Sequence, residues 1–340
     1  MRWFVRPASI NDLEAIYELA GQTGHGFTNL PYDRDGLAQR LERSDASFAR
    51  ALDAPDDELY IFVLQDSTSD RIGGTALIFS RIGVNKPFYS YKITRLSQFS
   101  HQLNRSVTTD VLNLVNDFTG ATEVGGLFLL PELRRDGLGG LLSRSRYLFM
   151  ALHRERFADL VLTELRGFQQ PDGVSPFWNS LTRRFFNLEF QEADQFYALN
   201  GNQFIADLMP KYPIYTILLS EEAQAAIGKP HPAGVAAMKL LLAEGFRNEN
   251  YVDLFDAGPT LYAETDKIRT VNEAQRSPVR IAPNEQGDQR FLLAAGRLHD
   301  FRAWQGTGQY DRETGVSLQP EDLALGRLNP GDAVLHVGLG

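Results

Sequence analysis

The spacing of apolar residues predicts alternating strands and helices over the first 80 positions. Residues 3–7 predict a short strand, and residues 13–20 place apolar side chains on one face of a helix. A second helix is expected from about residue 33 to residue 51. Two apolar runs then flank a polar turn, which is typical of a β-hairpin, at residues 60–64 and 74–79.

The middle of the chain continues this alternation around one buried strand. The forty or so residues after the hairpin predict an insertion that contains both strand and helix. The apolar run at residues 124–130 lacks helical length and predicts a strand covered on both faces. A helix is expected from Leu138 onward, followed by a strand at residues 160–162. Ser175 is expected to cap a further helix rather than to act as a nucleophile, because no Gly-x-Ser-x-Gly turn surrounds it.

The composition changes near residue 270. Upstream of this point the pattern is mixed, with a helix at residues 235–244 that ends at Gly245 and a strand at residues 251–255. Downstream, short apolar runs are separated by Gly, Asn, Asp and Pro, which predicts a small all-β domain resembling a barrel. These runs are residues 279–281, 291–294, 301–304 and 333–337.

Composition and charge narrow the classes of function. The chain has 340 residues, no cysteine and a formal net charge of −9. Without cysteine there is no disulfide framework, thiolate metal site or cysteine nucleophile, and the composition fits a reducing compartment. No apolar run approaches the roughly 20 residues of a membrane span, and the acidic balance disfavours nucleic acid as a partner. We therefore expect a cytoplasmic protein that binds neither membranes nor nucleic acid.

The most informative segment is the loop between the buried strand and the following helix. Gly137, Gly139 and Gly140 lie where this helix begins, and Arg134 and Arg135 lie just before them. Glycines lack Cβ atoms and let backbone N–H groups approach an anion, while the helix dipole adds positive potential. The segment lacks the Gly-Lys-Ser/Thr of a P-loop and the third glycine of a dinucleotide fingerprint. It therefore predicts a diphosphate-binding loop of another kind.

The spacing Arg134-x-x-Gly137-x-Gly139 after an apolar strand resembles the acyl-coenzyme A loop of the GNAT-type N-acetyltransferases. Much of residues 1–275 also resembles the arginine N-succinyltransferase family, whose paired-subunit form also handles ornithine. The segments that carry this resemblance include Thr23-Gly24, Asn116-Asp117, Leu127-Phe128-Leu129, Ser175-Pro176-Phe177-Trp178, His231-Pro232 and Phe255-Asp256-Ala257-Gly258-Pro259.

The resemblance implies an α+β fold in which helices flank a mixed sheet, with an extended α/β region and a small C-terminal β domain. We expect an acyl-coenzyme A-binding acyltransferase domain at residues 1–200 and an extension that completes the active site at residues 201–275. The small β domain is expected at residues 276–340. The resemblance also implies an oligomer, either of identical chains or with a paralogous subunit.

The resemblance also implies roles for particular residues. The family's proton donor is a His in the pattern Gly-x-x-His-Pro, which corresponds to His231, and the Leu that begins Leu-Phe-Leu contacts the acyl donor, which corresponds to Leu127. In this fold the pantetheine arm lies along the edge of the buried strand and the loop amides hold the diphosphate. The expected donor contacts are Leu127, Phe128, Leu129, Arg134, Arg135, Gly137, Gly139 and Gly140.

Acyl transfer to an amine requires a group that handles protons. The amine must lose a proton and the departing thiolate must be stabilised, and an imidazole with a pKa near neutrality can do both. His231 is the preferred candidate, and His25, in the loop between the first two helices, is the alternative. The other histidines are expected to be structural, namely His101, His153, His299 and His336. They show no metal-ligand spacing, so no metal site is expected.

The acceptor determines which charges the site needs. A guanidinium group requires carboxylates, whereas its α-carboxylate and the distal carboxylate of a succinyl group require Arg or Lys. The candidates are Asn116, Asp117, Glu164 and Arg166. We predict direct transfer of succinyl from succinyl-coenzyme A, a co-substrate rather than a resident cofactor, to the α-amino group of L-arginine or ornithine. The alternatives are an acetyltransferase acting on another amine and a non-catalytic subunit of a paired succinyltransferase.

Overall fold

Strands and helices alternate along the chain. The computed structural model describes residues 2–24, 29–193, 196, 203–282 and 289–339. Its strands are β1 (Trp3–Pro7), β2 (Leu59–Asp66), β3 (Ile72–Phe79), β4 (Ser90–Ser100), β5 (Arg105–Val115), β6 (Thr122–Leu129), β7 (Leu160–Glu164), β8 (Ile214–Tyr215), β9 (Tyr251–Asp253), β10 (Thr260–Glu264), β11 (Gln275–Ile281), β12 (Gln289–Ala295), β13 (Arg302–Asp311), β14 (Gly315–Leu318) and β15 (Ala333–Leu339). The α-helices include α1 (Leu13–Ala20), α2 (Arg34–Ala49), α3 (Leu138–Leu152), α4 (Arg183–Phe186), α5 (Gln203–Leu208), α6 (Glu221–Ala226), α7 (Val235–Ala243), α8 (Arg269–Glu273) and α9 (Pro320–Gly326).

Two sheets contain these strands. The larger sheet has the order β10-β7-β6-β3-β2-β1-β13-β12-β15-β11-β14, and the smaller has the order β8-β5-β4-β9. β2 and β3 form the predicted hairpin, with Tyr60 opposite Ile78. β2 is buried along its whole length, and apolar side chains of α1, α2 and α3 join it in the main core. In the part of the chain that the structure describes, no helix is both long and apolar enough to cross a membrane.

β6 and β7 run side by side in parallel and then separate. Within these two fully described strands the pairing ends at Glu123 and Leu162. β6 also contains a β-bulge just beyond this point, because Gly126 and Leu127 together lie opposite a single residue of β3. Gly126 has a φ of +55°, and a Cβ atom there would lie 2.1 Å from Cδ1 of Leu77. Glycine is therefore required at the bulge, and the separation of the strands opens a cavity beside it.

The insertion after β3 is a long antiparallel hairpin formed by β4 and β5, with Ser90 opposite Val115 and Ser100 opposite Arg105. The prediction of a helix in this insertion is wrong. Residues 80–121, all of which are described, contain only strands, turns and irregular segments. Most side chains between residues 94 and 108 are exposed. Since neither face of this end of the hairpin is buried, the sequence there carries no period of two.

The last five strands close into a small barrel, which confirms the predicted barrel, but the region is not all β because α9 lies between β14 and β15. β13 is followed around the barrel by β12, β15, β11 and β14, and β14 pairs back with β13. The interior is apolar and includes Trp304, Val316 and Leu318. β13 also pairs with β1, with Phe4 opposite Trp304, so the barrel continues the large sheet. The division of the chain at residues 200 and 275 stays a prediction.

Candidate active site

A cavity of about 890 Å³ opens where β6 and β7 separate. Its walls include β6, the loop before α3, the end of β7, α7, the turn after β9 and the segment that follows β3. Of the four acceptor candidates, Glu164 and Arg166 line it. The predicted donor contacts in its wall are Leu127, Phe128, Leu129, Arg134, Arg135, Gly137 and Gly139, whereas Gly140 lies one residue farther along α3.

The loop before α3 lines the cavity with glycines and two arginines. Gly137 is the N-cap of α3 and has a φ of +75°, a left-handed conformation that glycine adopts without steric cost. Nε of Arg134 donates a hydrogen bond to the carbonyl of Leu129 at 3.1 Å, which ties the loop to the end of β6. Arg134 and Arg135 are exposed at the rim. With the N-terminal end of the 15-residue α3, these groups suit a diphosphate.

His231 is held by hydrogen bonds that fix the state of its ring. Its Nδ1 lies 2.7 Å from Nη2 of Arg166 and 3.1 Å from the backbone N of Ala233. Since a guanidinium and an amide N–H can only donate, Nδ1 is the acceptor and Nε2 carries the hydrogen of the neutral ring. Burial and the charge of Arg166 both lower the pKa of His231. The imidazole is therefore neutral at pH 7.

His231 is hydrogen-bonded to two residues of the cavity wall. Arg166 and Ala233, which bond to its ring, both line the cavity, but the His231 side chain is not among the described lining residues. The backbone also ties the two segments together, because the His231 N–H donates to the Arg166 carbonyl at 2.8 Å. Nε2–H is the remaining polar group of the ring, so this side chain can act as a hydrogen-bond donor.

Carboxylates from three elements meet in the cavity: Glu123 on β6, Glu164 at the end of β7, and Asp253 and Asp256 at β9 and its turn. Burial raises the pKa of Glu123 to about 7. Burial, together with the charge of Asp253, raises the pKa of both Glu164 and Asp256 well above the usual range. Asp256 is fixed in place by the backbone N of Gly167, which donates to it at 2.6 Å. A cation among these groups would favour their charged forms.

The other two acceptor candidates lie elsewhere. Asn116 and Asp117 follow β5 and are not among the described residues that line the cavity. Oδ2 of Asp117 accepts hydrogen bonds from the Tyr251 hydroxyl at 2.6 Å and from Nζ of Lys92 at 3.2 Å. These contacts link the segment after β5 to β4 and β9, so the Asp117 carboxylate is engaged in holding strands together.

The remaining described histidines lie away from the cavity. His153 is buried and accepts a hydrogen bond from a backbone N–H at 3.3 Å, and burial lowers its pKa to about 4. His336 is buried in the barrel, and His101 and His299 are exposed. His25, the alternative proton-handling candidate, falls outside the described residues. Within the described ranges, no group of three or more His, Asp or Glu side chains is placed to hold a metal ion.

The fold and the site define an acyl-coenzyme A-dependent N-acyltransferase. Two parallel strands separate beside a bulge, and a glycine-bearing loop at a helix N-terminus lies at one end of the resulting cavity. This arrangement offers a strand edge to an extended thioester arm and backbone amides to its diphosphate.

The chain belongs to the arginine N-succinyltransferase family. The family model described as "Arginine N-succinyltransferase beta subunit" matches residues 3–270, and that of its C-terminal domain matches residues 275–338. The arginine N-succinyltransferases of Salmonella paratyphi B and Salmonella newport are each 42% identical over 300 residues, which cover 88% of this chain and 87% of theirs. The family predicted from the sequence is thereby confirmed.

A solved structure agrees over the whole chain. Arginine/ornithine succinyltransferase subunit AI from Pseudomonas aeruginosa is 35% identical and superposes with a TM-score of 0.90, covering 100% of this chain and 99% of that one. The predicted α+β fold is therefore confirmed as well.

Proposed function

We propose that this protein transfers the succinyl group of succinyl-coenzyme A to the α-amino group of L-arginine, or of the shorter L-ornithine. One observation carries the proposal: a single cavity is lined both by the glycine- and arginine-bearing loop before α3 and by a group of carboxylates. The first suits the diphosphate of the donor, and the second suits the cationic side chain of the acceptor. The relatives named above support the same donor and acceptors.

The reaction is proposed as direct attack without a covalent enzyme intermediate. The acceptor ammonium gives a proton to a carboxylate, and Glu123 suits this task because its pKa is raised to about 7. The amine nitrogen then forms a bond to the thioester carbon, and the carbon–sulfur bond breaks. As the amide forms, the nitrogen loses its second proton, which passes to the departing thiolate, and Glu123 returns the first proton to solvent. Nε2–H of the neutral His231 is proposed to donate a hydrogen bond to the charge that develops during transfer.

A thiol-release assay with the purified chain tests this function. Succinyl-coenzyme A should support turnover with L-arginine or L-ornithine. L-citrulline, in which a neutral urea replaces the guanidinium, should be inactive because the carboxylates then lack their cation. No turnover with succinyl-coenzyme A and either cationic amino acid contradicts the proposal. A preference for acetyl-coenzyme A would favour the acetyltransferase alternative, and donor binding without any turnover would favour a non-catalytic subunit.

Replacement of His231 tests its role in the same assay. His231→Gln should lower kcat by roughly 10²- to 10⁴-fold while leaving the affinity for coenzyme A nearly unchanged, as expected for a group that acts during proton transfer or charge development. His299→Gln is the matched control, because His299 lies on the surface and pairs with Asp45. If turnover persists in His231→Gln, the role passes to His25 or a tyrosine.

We also propose that the protein is a cytoplasmic oligomer. The relative from Pseudomonas aeruginosa is named as a subunit. Around β8, the side chains of Tyr212, Ile217 and Leu218 are largely exposed, which is costly for a monomer. A highly charged coenzyme A thioester does not cross a lipid bilayer unaided, so the enzyme must share the compartment that makes it. Light scattering after size-exclusion chromatography should give at least a dimer, and a monomeric mass contradicts this proposal.

A further inference from the structure

Arg146 places a buried positive charge in the cavity wall. Its side chain lies on α3, and the residue is 2% exposed. It lines the cavity beside β6, where Nη1 donates a hydrogen bond to the Gly125 carbonyl at 3.3 Å. Nε and Nη2 donate to the carbonyl and hydroxyl oxygens of Ser143, each at 3.1 Å. The guanidinium is thus held rigidly by groups that carry no charge.

This charge has no carboxylate partner among the described residues. Arg144, two positions earlier on the same helix and also buried, forms an ion pair with Glu244 at 3.0 Å. Burying a charge without a counter-charge is unfavourable, and burial lowers the pKa of Arg146. Its hydrogen bonds use three of its five N–H groups. An anion entering the cavity would supply the missing partner.

The position of Arg146 indicates which part of the donor would supply the anion that pairs with it. A donor bound by the loop before α3 and lying along Leu127–Leu129 runs back along β6 toward Gly125, the residue whose carbonyl Arg146 contacts. The acyl group therefore ends near this guanidinium. The other basic side chains of the lining are either exposed or, in the case of Arg166, bonded to His231. These others are Arg43, Arg81, Lys86, Arg134, Arg135 and Arg166.

We propose that Arg146 binds the terminal carboxylate of the acyl group and thereby selects a dicarboxylic acyl donor over acyl chains that end in a methyl group. The inference rests on the proposed function and specifies how its donor is chosen. A planar guanidinium forms two parallel hydrogen bonds with a carboxylate. The nearby cluster of Glu123, Glu164, Asp253 and Asp256 would repel that carboxylate unless a cation received it. An acyl chain without the carboxylate leaves Arg146 unpaired, which penalises its binding.

A comparison of succinyl- and butyryl-coenzyme A tests this role, because butyryl has the same chain length but ends in a methyl group. The kcat/KM of both donors is measured at saturating L-arginine for wild type, Arg146→Met, Arg146→Lys and Arg135→Met. Arg146→Met should reduce the preference for succinyl at least ~100-fold, mainly through loss of the succinyl reaction. Arg146→Lys keeps the charge but not the planar guanidinium, so its preference for succinyl should lie between those of wild type and Arg146→Met. Arg135→Met, in the loop before α3, should lower the kcat/KM of both donors by a similar factor.

The outcomes separate this inference from the proposed function. Wild-type protein that does not use succinyl-coenzyme A contradicts the proposed function itself. If wild type uses it, an unchanged succinyl-to-butyryl ratio in either folded Arg146 variant overturns the role given to Arg146. A rise in the KM of L-arginine with an unchanged ratio also overturns it, because Arg146 would then bind the acceptor. The unfolding midpoint of each variant shows whether it is folded. If Arg146→Met is unfolded, Arg146→Lys, which retains the buried charge, supplies the test.

Discussion

Nδ1 of His231 accepts a hydrogen bond from the guanidinium group of Arg166 at 2.7 Å. The contact joins two segments separated by 65 residues, one at the end of β7 and one just before α7. Because arginine remains protonated, it favours an unprotonated Nδ1 at every accessible pH. The pair therefore sets both the tautomer and the charge of the histidine beside the cavity.

Removing the charge of Arg166 should raise the pKa of His231. With Arg166→Met, the pKa should move back toward the ordinary value of 6.5 but stay below it, because burial still disfavours the imidazolium. In wild type the folded pKa is lowered, so this group contributes stability above pH 6.5 that is lost as the pH falls through the folded pKa. Titration of the histidine Cε1–H signals by NMR measures the change, with His231→Gln identifying the signal.

The conservative variant provides the control. Arg166→Lys keeps a positive charge beside the ring, so His231 should titrate close to its wild-type pKa. An unchanged histidine titration in Arg166→Met would mean that burial alone lowers the pKa.

The fold was predictable where an element is buried in the main core. α1 buries one face, so its sequence carries the helical period, whereas β2 and β3 are buried on both faces and were predictable as two apolar runs on either side of a polar turn. Ser175 was predictable as a cap, because its Oγ accepts a hydrogen bond from the Trp178 backbone N at 3.2 Å within three residues. The outer part of the β4–β5 hairpin was not predictable, since both of its faces are exposed.

The site was predictable only where its residues are close in sequence. The loop with Gly137 and Gly139 is a local motif, whereas His231 came from the family resemblance. The carboxylates Glu123 and Asp253 lie 130 positions apart and meet because β6, β7 and β9 converge. No spacing rule connects such positions in one sequence. For the same reason no signal in the sequence pointed to Arg146. In the sequence it is an ordinary polar residue of a helix, and its role becomes visible only when α3 is placed against β6.

Glu123→Gln should stabilise the protein at neutral and alkaline pH. The pKa of Glu123 is raised from 4.5 to about 7, so between these values the folded state holds a proton that the unfolded state has lost. Wild-type stability therefore falls as the pH rises through this window. The free energy of unfolding of Glu123→Gln relative to wild type should increase from near zero at pH 4.5 to at most about 3 kcal/mol at pH 8. Urea unfolding at several pH values measures it.

Glu132→Gln is the control with the opposite sign. A hydrogen bond from the backbone and the ion pair with Arg71 lower the pKa of Glu132. Its contribution to stability is therefore present above the unfolded pKa and is lost as the pH falls, so this variant should lose stability relative to wild type above pH 4.5. A pH-independent difference for Glu123→Gln would show that Glu123 titrates normally.

Binding of L-arginine should release protons. The cation favours the charged forms of carboxylates whose pKa is raised in its absence, namely Glu123, Glu164 and Asp256. Calorimetric titrations at pH 6.5 in two buffers of different ionisation enthalpy give the number of protons released. The number should fall above pH 8, where Glu123 is already charged, and it should be smaller in Glu123→Gln at pH 6.5. Proton uptake on binding would contradict the assignment of this cluster to the cation.

Gly137→Ala should weaken both the fold and the binding of coenzyme A. At a φ of +75° an alanine costs about 1–2 kcal/mol, and its Cβ would lie 3.0 Å from Nε2 of Gln305, whose side chain donates to the Gly137 carbonyl at 3.1 Å. The Gln305 amide must move and the backbone at position 137 is strained, which disturbs the start of α3 where the diphosphate is proposed to bind. Thermal unfolding and calorimetric binding of coenzyme A measure the two effects.

Gly140→Ala distinguishes backbone conformation from a general effect of added methyl groups. Gly140 lies inside α3, and a Cβ atom there would meet nothing within 4 Å. The substitution should therefore raise the free energy of unfolding by about 0.5–1 kcal/mol through the higher helix propensity of alanine. The two variants should thus change stability in opposite directions. Equal losses in both would show that the left-handed conformation of Gly137 is not what the loop depends on.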